Sequence, residues 1–143
     1  ENMDQELVDL EKELSFARDY FYLQQIRDNG KIELDIEIPK PAHYRILPIS
    51  LQMLMENALK HNAATREKPL VMGISLDPDG SVIRFRNNLQ PKQQLEKSSG
   101  IGLRNLNERA KLILNQEIAV SESGSEFIVE IPVKHREHEN TDR

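Results

Sequence analysis

The 143-residue chain contains no cysteine, which excludes disulfides, thiolate metal sites and thiol catalysis together. It has no apolar run approaching the roughly 18 residues of a membrane-spanning helix. It has no basic excess either: 24 acidic side chains outnumber 19 lysines and arginines, for a net charge of −5. That balance argues against general nucleic-acid binding, so any polyanionic ligand must be met by a few local cations. No stretch has the layout of a secretory signal, and the segment reads as cytosolic as it stands. Its abrupt start reads as a cut from something longer. What is present, 38% hydrophobic and 30% charged residues, is ordinary for one domain with a real core.

Proline and glycine are also missing between residues 3 and 28, where Leu7, Leu10, Leu14, Ala17 and Phe21 recur every three or four positions. This spacing predicts one long helix. Its second half, with Tyr20, Phe21, Tyr22 and Leu23, is apolar nearly all round and is expected to dock on the domain. Its first half is charged and stripe-like, as in a helix arriving from elsewhere. Residues 32–38 alternate apolar and acidic without a fault and predict a half-buried strand. Pro39 and Pro41 end it. A loop follows, then a helix with Pro48 in its first turn, running to about Ala63. Residues 70–76 and 81–86 form a predicted hairpin around Asp77-Pro78-Asp79-Gly80, with Ile83 and Phe85 on one face and Val82, Arg84 and Arg86 on the other. Residues 89–99 read as a polar loop. A helix ending near Asn115 and a last hairpin around Ser123 and Gly124 complete the series. Beyond Lys134 the charged tail is expected to be disordered, and His135 and His138 read as tail residues rather than a metal pair.

Two stretches concentrate the chemistry. In LQMLMENALKH (51–61), a helix at about 100° per residue places Leu51, Leu54, Met55, Ala58 and Leu59 on one arc. Glu56, Asn57, Lys60 and His61 share another. A carboxylate, an amide, an ammonium and an imidazole side by side suit a polyanion with a divalent cation, although a mixed polar face is also what an ordinary amphipathic helix presents. The second stretch, SSGIGLRN (98–105), opens a helix with two glycines. These permit close backbone approach at a helix N-terminus, where a phosphate is favoured. Alone, such a pair can equally be a flexible connection.

Together the two resemble known motifs. PISLQMLMENALKH (48–61) resembles the N box of sensor histidine kinases, and GIGLRNLNER (100–109) resembles their second glycine box. The likeness is strongest to the LytS-like branch and extends from about Leu10 to Val133. It implies a Bergerat-type (GHKL) ATP-binding fold: an α/β two-layer sandwich, with a mixed, mostly antiparallel sheet covered on one face by helices and preceded by a long N-terminal helix. The implied division has residues 1–30 as the end of a dimerisation and phosphoacceptor hairpin, 31–134 as the ATP-binding catalytic domain, and 135–143 as the tail.

The resemblance also implies the site. ATP and Mg²⁺ are the expected ligands, with Asn57 on the metal and Glu56 beside it, orienting a water or polarising the nucleophile. Lys60 and His61 would reach phosphate oxygens. Gly100, Ile101, Gly102 and Leu103 would wrap the phosphates, and Arg104 would contact one from the first helical turn. Arg109 is expected to be structural. Asn87 departs from the pattern, since many histidine kinases carry Asp-x-Gly-x-Gly there. Its amide oxygen still accepts from an adenine amine, without charge assistance, and Leu89 and Pro91 replace permissive glycines. The family's Pro-His-Phe-Leu-Phe-Asn phosphoacceptor motif is absent, so this chain is expected to bind nucleotide without phosphorylating itself. The expected partners are a phosphoacceptor helical domain of the same protein, a LytTR-type response regulator and, at full length, a second copy in the inner membrane. The alternatives are a nucleotide-weak module of the same fold, serving binding or dimerisation, and a topoisomerase- or chaperone-type ATPase, against which the small size argues.

Overall fold

A computed structural model describes residues 6–92 and 100–136. Their elements run β1 (Val8–Asp9), α1 (Leu10–Arg27), β2 (Ile32–Glu37), a 3-10 turn (Pro41–His43), β3 (Tyr44–Ile46) and α2 (Ser50–His61). There follow β4 (Leu70–Leu76), β5 (Val82–Asn88), α3 (Ile101–Leu114), β6 (Ala119–Glu122), β7 (Glu126–Pro132) and β8 (Lys134–His135).

Alternation decides the main sheet. Five strands lie in the order β2-β4-β5-β7-β6, with β2 and β4 parallel and every other pair antiparallel. Ile32, Leu70, Met72, Ile74, Ile83, Phe85, Val129 and Ile131 point to one face and are buried. The opposite face is charged: Arg84 stands across from Glu130, with nitrogen–oxygen distances of 2.7 Å to Glu130 and 2.9 Å to Asp77. The helices cover only the apolar face, contributing Leu10, Leu14 and Ala17 from α1, Leu51, Leu54, Met55 and Ala58 from α2, and Leu106 and Ala110 from α3 to one core. This is the two-layer α/β sandwich with a mixed sheet that the sequence leads one to expect. A smaller antiparallel sheet, β1-β3-β8, closes one end.

The structure corrects the reading of α1. The helix begins at Leu10, because Val8 and Asp9 are drawn into pairing with Ile46 and Arg45. Its first half docks fully, while in the second half Tyr20 and Phe21 pack against the core and Tyr22, Leu23 and Ile26 are exposed by about three-fifths each. At about 100° per residue Leu10, Leu14, Ala17 and Phe21 fall on one line, whereas Tyr22, Leu23 and Ile26 fall behind it. With Leu7, Leu10, Leu14 and Ala17 in the main core, packing does not break at residue 30.

Three local expectations also change. The loop before α2 contains strand β3. Pro48 lies outside α2, which starts at Ser50 after Ile49 takes a left-handed conformation, and α2 ends at His61. His135 belongs to β8, its ring 4.6 Å from that of Tyr44. Residues 137–143, including His138, and residues 93–99 of the expected loop lie outside the described residues.

Candidate functional site

Between α2, the start of α3 and the ends of β5, β6 and β7 the apolar layer opens into a cavity of about 540 Å³. Glu56, Asn57, Lys60, His61, Asn87, Gly100, Ile101, Gly102 and Leu103 all line it. The two motifs, some forty residues apart, therefore meet at one place. Arg104 does not line the cavity; it is exposed in the first turn of α3, its N–H donating to the Gly100 carbonyl at 3.0 Å. Arg109 ties α3 to the chain before α2, donating from Nη2 to the Pro48 carbonyl at 2.6 Å.

α2 delivers its polar arc because the opposite arc is anchored: Leu51, Leu54 and Met55 are at most 1% exposed. Glu56 is exposed and accepts from Gln52 Nε2 at 3.1 Å. His61 titrates below the usual histidine range, chiefly because burial disfavours its charged form, with Lys60 and Lys92 adding repulsion. Its charged form is thus disfavoured where it faces those two lysines.

Asn87 sits where the alternation of β5 carries it, on the inner face after Ile83 and Phe85, and is 1% exposed. Its Nδ2 donates to the Asn88 carbonyl at 2.8 Å. Its Oδ1 is buried and has no hydrogen-bond partner among the described residues. A buried acceptor left unpaired costs about 1–3 kcal/mol, so this oxygen is a place for a ligand donor.

The glycines have separate reasons. Gly100, at φ +73°, caps α3 in a left-handed conformation that side chains disfavour. At Gly102 a Cβ would stand 3.3 Å from Met53 Sδ, so its smallness lets α3 start close against α2. That start carries the positive end of the helix dipole to the cavity.

Sequence reasoning missed Met53, Asn62, Glu122 and Phe127 as lining residues and treated Leu89 and Pro91 only as lost glycines. Leu89 and Pro91 were legible in principle, since they extend the inward series 83, 85, 87. Phe127 and Glu122 were not, because they reach the cavity through register: Asn87 pairs with Phe127, and Phe127 with Glu122.

The fold is that of histidine kinase catalytic domains. The ThkA catalytic domain superposes with a TM-score of 0.60 at 16% identity, covering 88% of this chain and 95% of that one. The cytoplasmic segment of the histidine kinase QseC gives 0.58 at 15% identity, covering 92% and 78%. In sequence, the chain is similar to the sensor histidine kinase/phosphatase LytS of Staphylococcus aureus: 28% identical to that of strain MRSA252 over 155 residues, across 94% of this chain. The match to strain N315 has the same extent. The chain spans about a quarter of the length of these curated relatives, 26% in each case. No protein-family model matches. In fold the chain is similar to histidine kinase catalytic domains, and in sequence to the LytS sensor histidine kinase/phosphatase. Among the described residues no helix is long and apolar enough to cross a membrane.

Proposed function

We propose that the cavity between α2 and α3 takes ATP with Mg²⁺, and that this domain delivers the γ-phosphoryl group in a two-component sensor kinase. The carrying observation is the convergence, in one cavity, of the buried unpaired Oδ1 of Asn87 with Asn57, Lys60 and the Gly100–Gly102 turn. A neutral buried acceptor suits the exocyclic amine of adenine. An amide, an ammonium and a helix N-terminus suit a chain of phosphates.

The residues fit a magnesium ion held partly by phosphate. Asn57 supplies a hard, neutral oxygen with the Glu56 carboxylate one residue away, and such an ion keeps several waters and nucleotide oxygens besides. Bound there, it would supply charge neutralisation on the phosphates. Lys60 adds a point charge, the backbone of Gly100, Ile101, Gly102 and Leu103 allows close approach, and Arg104 stands one turn along. His61 lines the cavity beside Lys60 and would reach phosphate oxygens as a hydrogen-bonding imidazole.

In the reaction, a histidine nitrogen bonds to the γ-phosphorus as the bond to the β,γ-bridging oxygen breaks and ADP leaves. The acceptor histidine belongs to a helical domain of the same protein. The phosphoryl group then passes to the aspartate of a LytTR-type response regulator. The whole protein is a homodimer anchored in the inner membrane. The similarity to LytS, a sensor histidine kinase/phosphatase, supports the kinase part of this reading.

Calorimetric titration with a non-hydrolysable ATP analogue, with and without Mg²⁺, tests the reading. Affinity should rise with Mg²⁺, and Asn57→Ala should remove that gain. Silence up to millimolar nucleotide would favour a nucleotide-weak binding or dimerisation module.

A further inference from the structure

Beyond β5 the chain stays extended, and its side chains divide. Asn87, Leu89 and Pro91 line the cavity, while the residues between them are tied to the scaffold. Asn88 Oδ1 accepts from the Val71 N–H at 2.8 Å, and its Nδ2 donates to the Pro69 carbonyl at 3.2 Å. Gln90 is held more heavily. Its N–H donates to Asn62 Oδ1 at 2.8 Å, its carbonyl accepts from the Ala63 N–H at 2.7 Å, and its Nε2 donates to the carbonyls of Ala63 at 2.7 Å and Lys68 at 3.0 Å. Asn62 is 8% exposed, and its own Nδ2 is spent on the Ala58 carbonyl at 3.0 Å. The Lys92 N–H then donates to the His61 carbonyl at 3.1 Å.

We infer that Asn62 and Gln90 are positioning residues for ligand recognition: they clamp the Leu89–Pro91 wall to the C-terminal end of α2, so that the base end of the cavity is formed before ligand enters. The inference rests on the nucleotide reading above. Where glycines would leave this stretch free to order on binding, the clamp removes that entropic penalty in advance. The wall is apolar and adjoins the buried acceptor of Asn87, so it serves the flat face of a base. The phosphate end, at Asn57 and the start of α3, is built from other elements.

That separation provides the test. Affinities of a non-hydrolysable ATP analogue and of inorganic tripolyphosphate, both with Mg²⁺, are measured for the parent and for Asn62→Ala. Gln90→Met, which keeps volume and the main-chain N–H, guards against a folding defect. Amide hydrogen exchange of residues 89–92 is followed in the ligand-free proteins. In both variants the preference for analogue over tripolyphosphate should fall by about three- to tenfold, the scale of the hydrogen bonds removed. Tripolyphosphate affinity should stay within about twofold in Gln90→Met, whose altered side chain does not line the cavity, and in both variants exchange should speed up at residue 90 and Lys92 but not in the centre of β5. Equal loss for both ligands, or an unchanged preference, would overturn the inference. If the parent binds neither ligand, the nucleotide reading fails, and parental exchange rates at Gln90 in Asn62→Ala would overturn the clamp separately.

Discussion

The Glu13 carboxylate on α1 accepts a hydrogen bond from the Ile49 N–H at 3.0 Å, across 36 positions of sequence. Ile49 sits at φ +62°, an uncommon conformation for a β-branched residue, immediately before α2. The carboxylate thus caps the helix that carries Asn57 from a neighbouring helix and holds a strained residue in place. It binds α1 into the domain that contains the cavity.

Removing this cap should be felt in stability. Glu13→Ala should lower the unfolding free energy by about 1–3 kcal/mol, measured by urea denaturation. Glu13→Gln, which keeps an acceptor, should do less. Ile49→Gly should relieve about 1 kcal/mol of backbone strain, because Ile49 is 60% exposed and gives up little burial. Burial holds the Glu13 pKa above its ordinary 4.5, with the bonds from Ile49 and Leu51 opposing. A raised folded pKa means that the folded state binds more protons. Its contribution to stability is therefore fully present below about pH 4.5 and lost as pH rises through the folded value. The parent minus Glu13→Gln stability difference should accordingly move in the parent's favour on acidification towards pH 5.

The two glycines of the α3 start should respond unequally. Gly100→Ala forces a side chain to φ +73° and should cost about 1–2 kcal/mol, with nucleotide binding weakened. Gly102→Ala meets only the flexible end of Met53, so it should cost less than about 1 kcal/mol. Thermal melts of the two variants check the order, and a larger loss at Gly102 would contradict this account of their separate roles.

How far this was legible in the sequence depended on whether a feature is local. The faces of β2 and β5, the Asp77–Gly80 turn and the helices that carry the two motifs follow from short-range pattern, and they stand as expected. The docking of α1 did not follow. Tyr20, Phe21, Tyr22 and Leu23 are locally more apolar than the first half, yet only Tyr20 and Phe21 pack against the core, while Tyr22 and Leu23 fall off the stripe that starts at Leu10. β3 is only three residues long and exists because β1 and β8 pair with it from distant sequence. The part of the cavity around Asn87 stayed hidden for the same reason, since Glu122 joins Asn87 only through two strand registers.

Asn87 should govern base selectivity. With Nδ2 pinned to the Asn88 carbonyl, the cavity meets an acceptor, so an adenine nucleotide should bind at least tenfold more tightly than its guanine counterpart. Asn87→Leu should weaken the adenine nucleotide by about tenfold or more. Asn87→Asp, restoring a charged acceptor, should tighten it. Competition titrations with the two nucleotides give both results.

The central claim is that the cavity between α2 and α3 is the nucleotide site. Its most direct test is amide chemical-shift mapping of the labelled domain with a non-hydrolysable ATP analogue and Mg²⁺. The account predicts saturable shifts concentrated in residues 56–62, 87–91 and 100–104, and their loss at 56–58 when Mg²⁺ is omitted. Shifts confined to the charged outer face of the sheet around Arg84 and Glu130, or none at millimolar nucleotide, would contradict it.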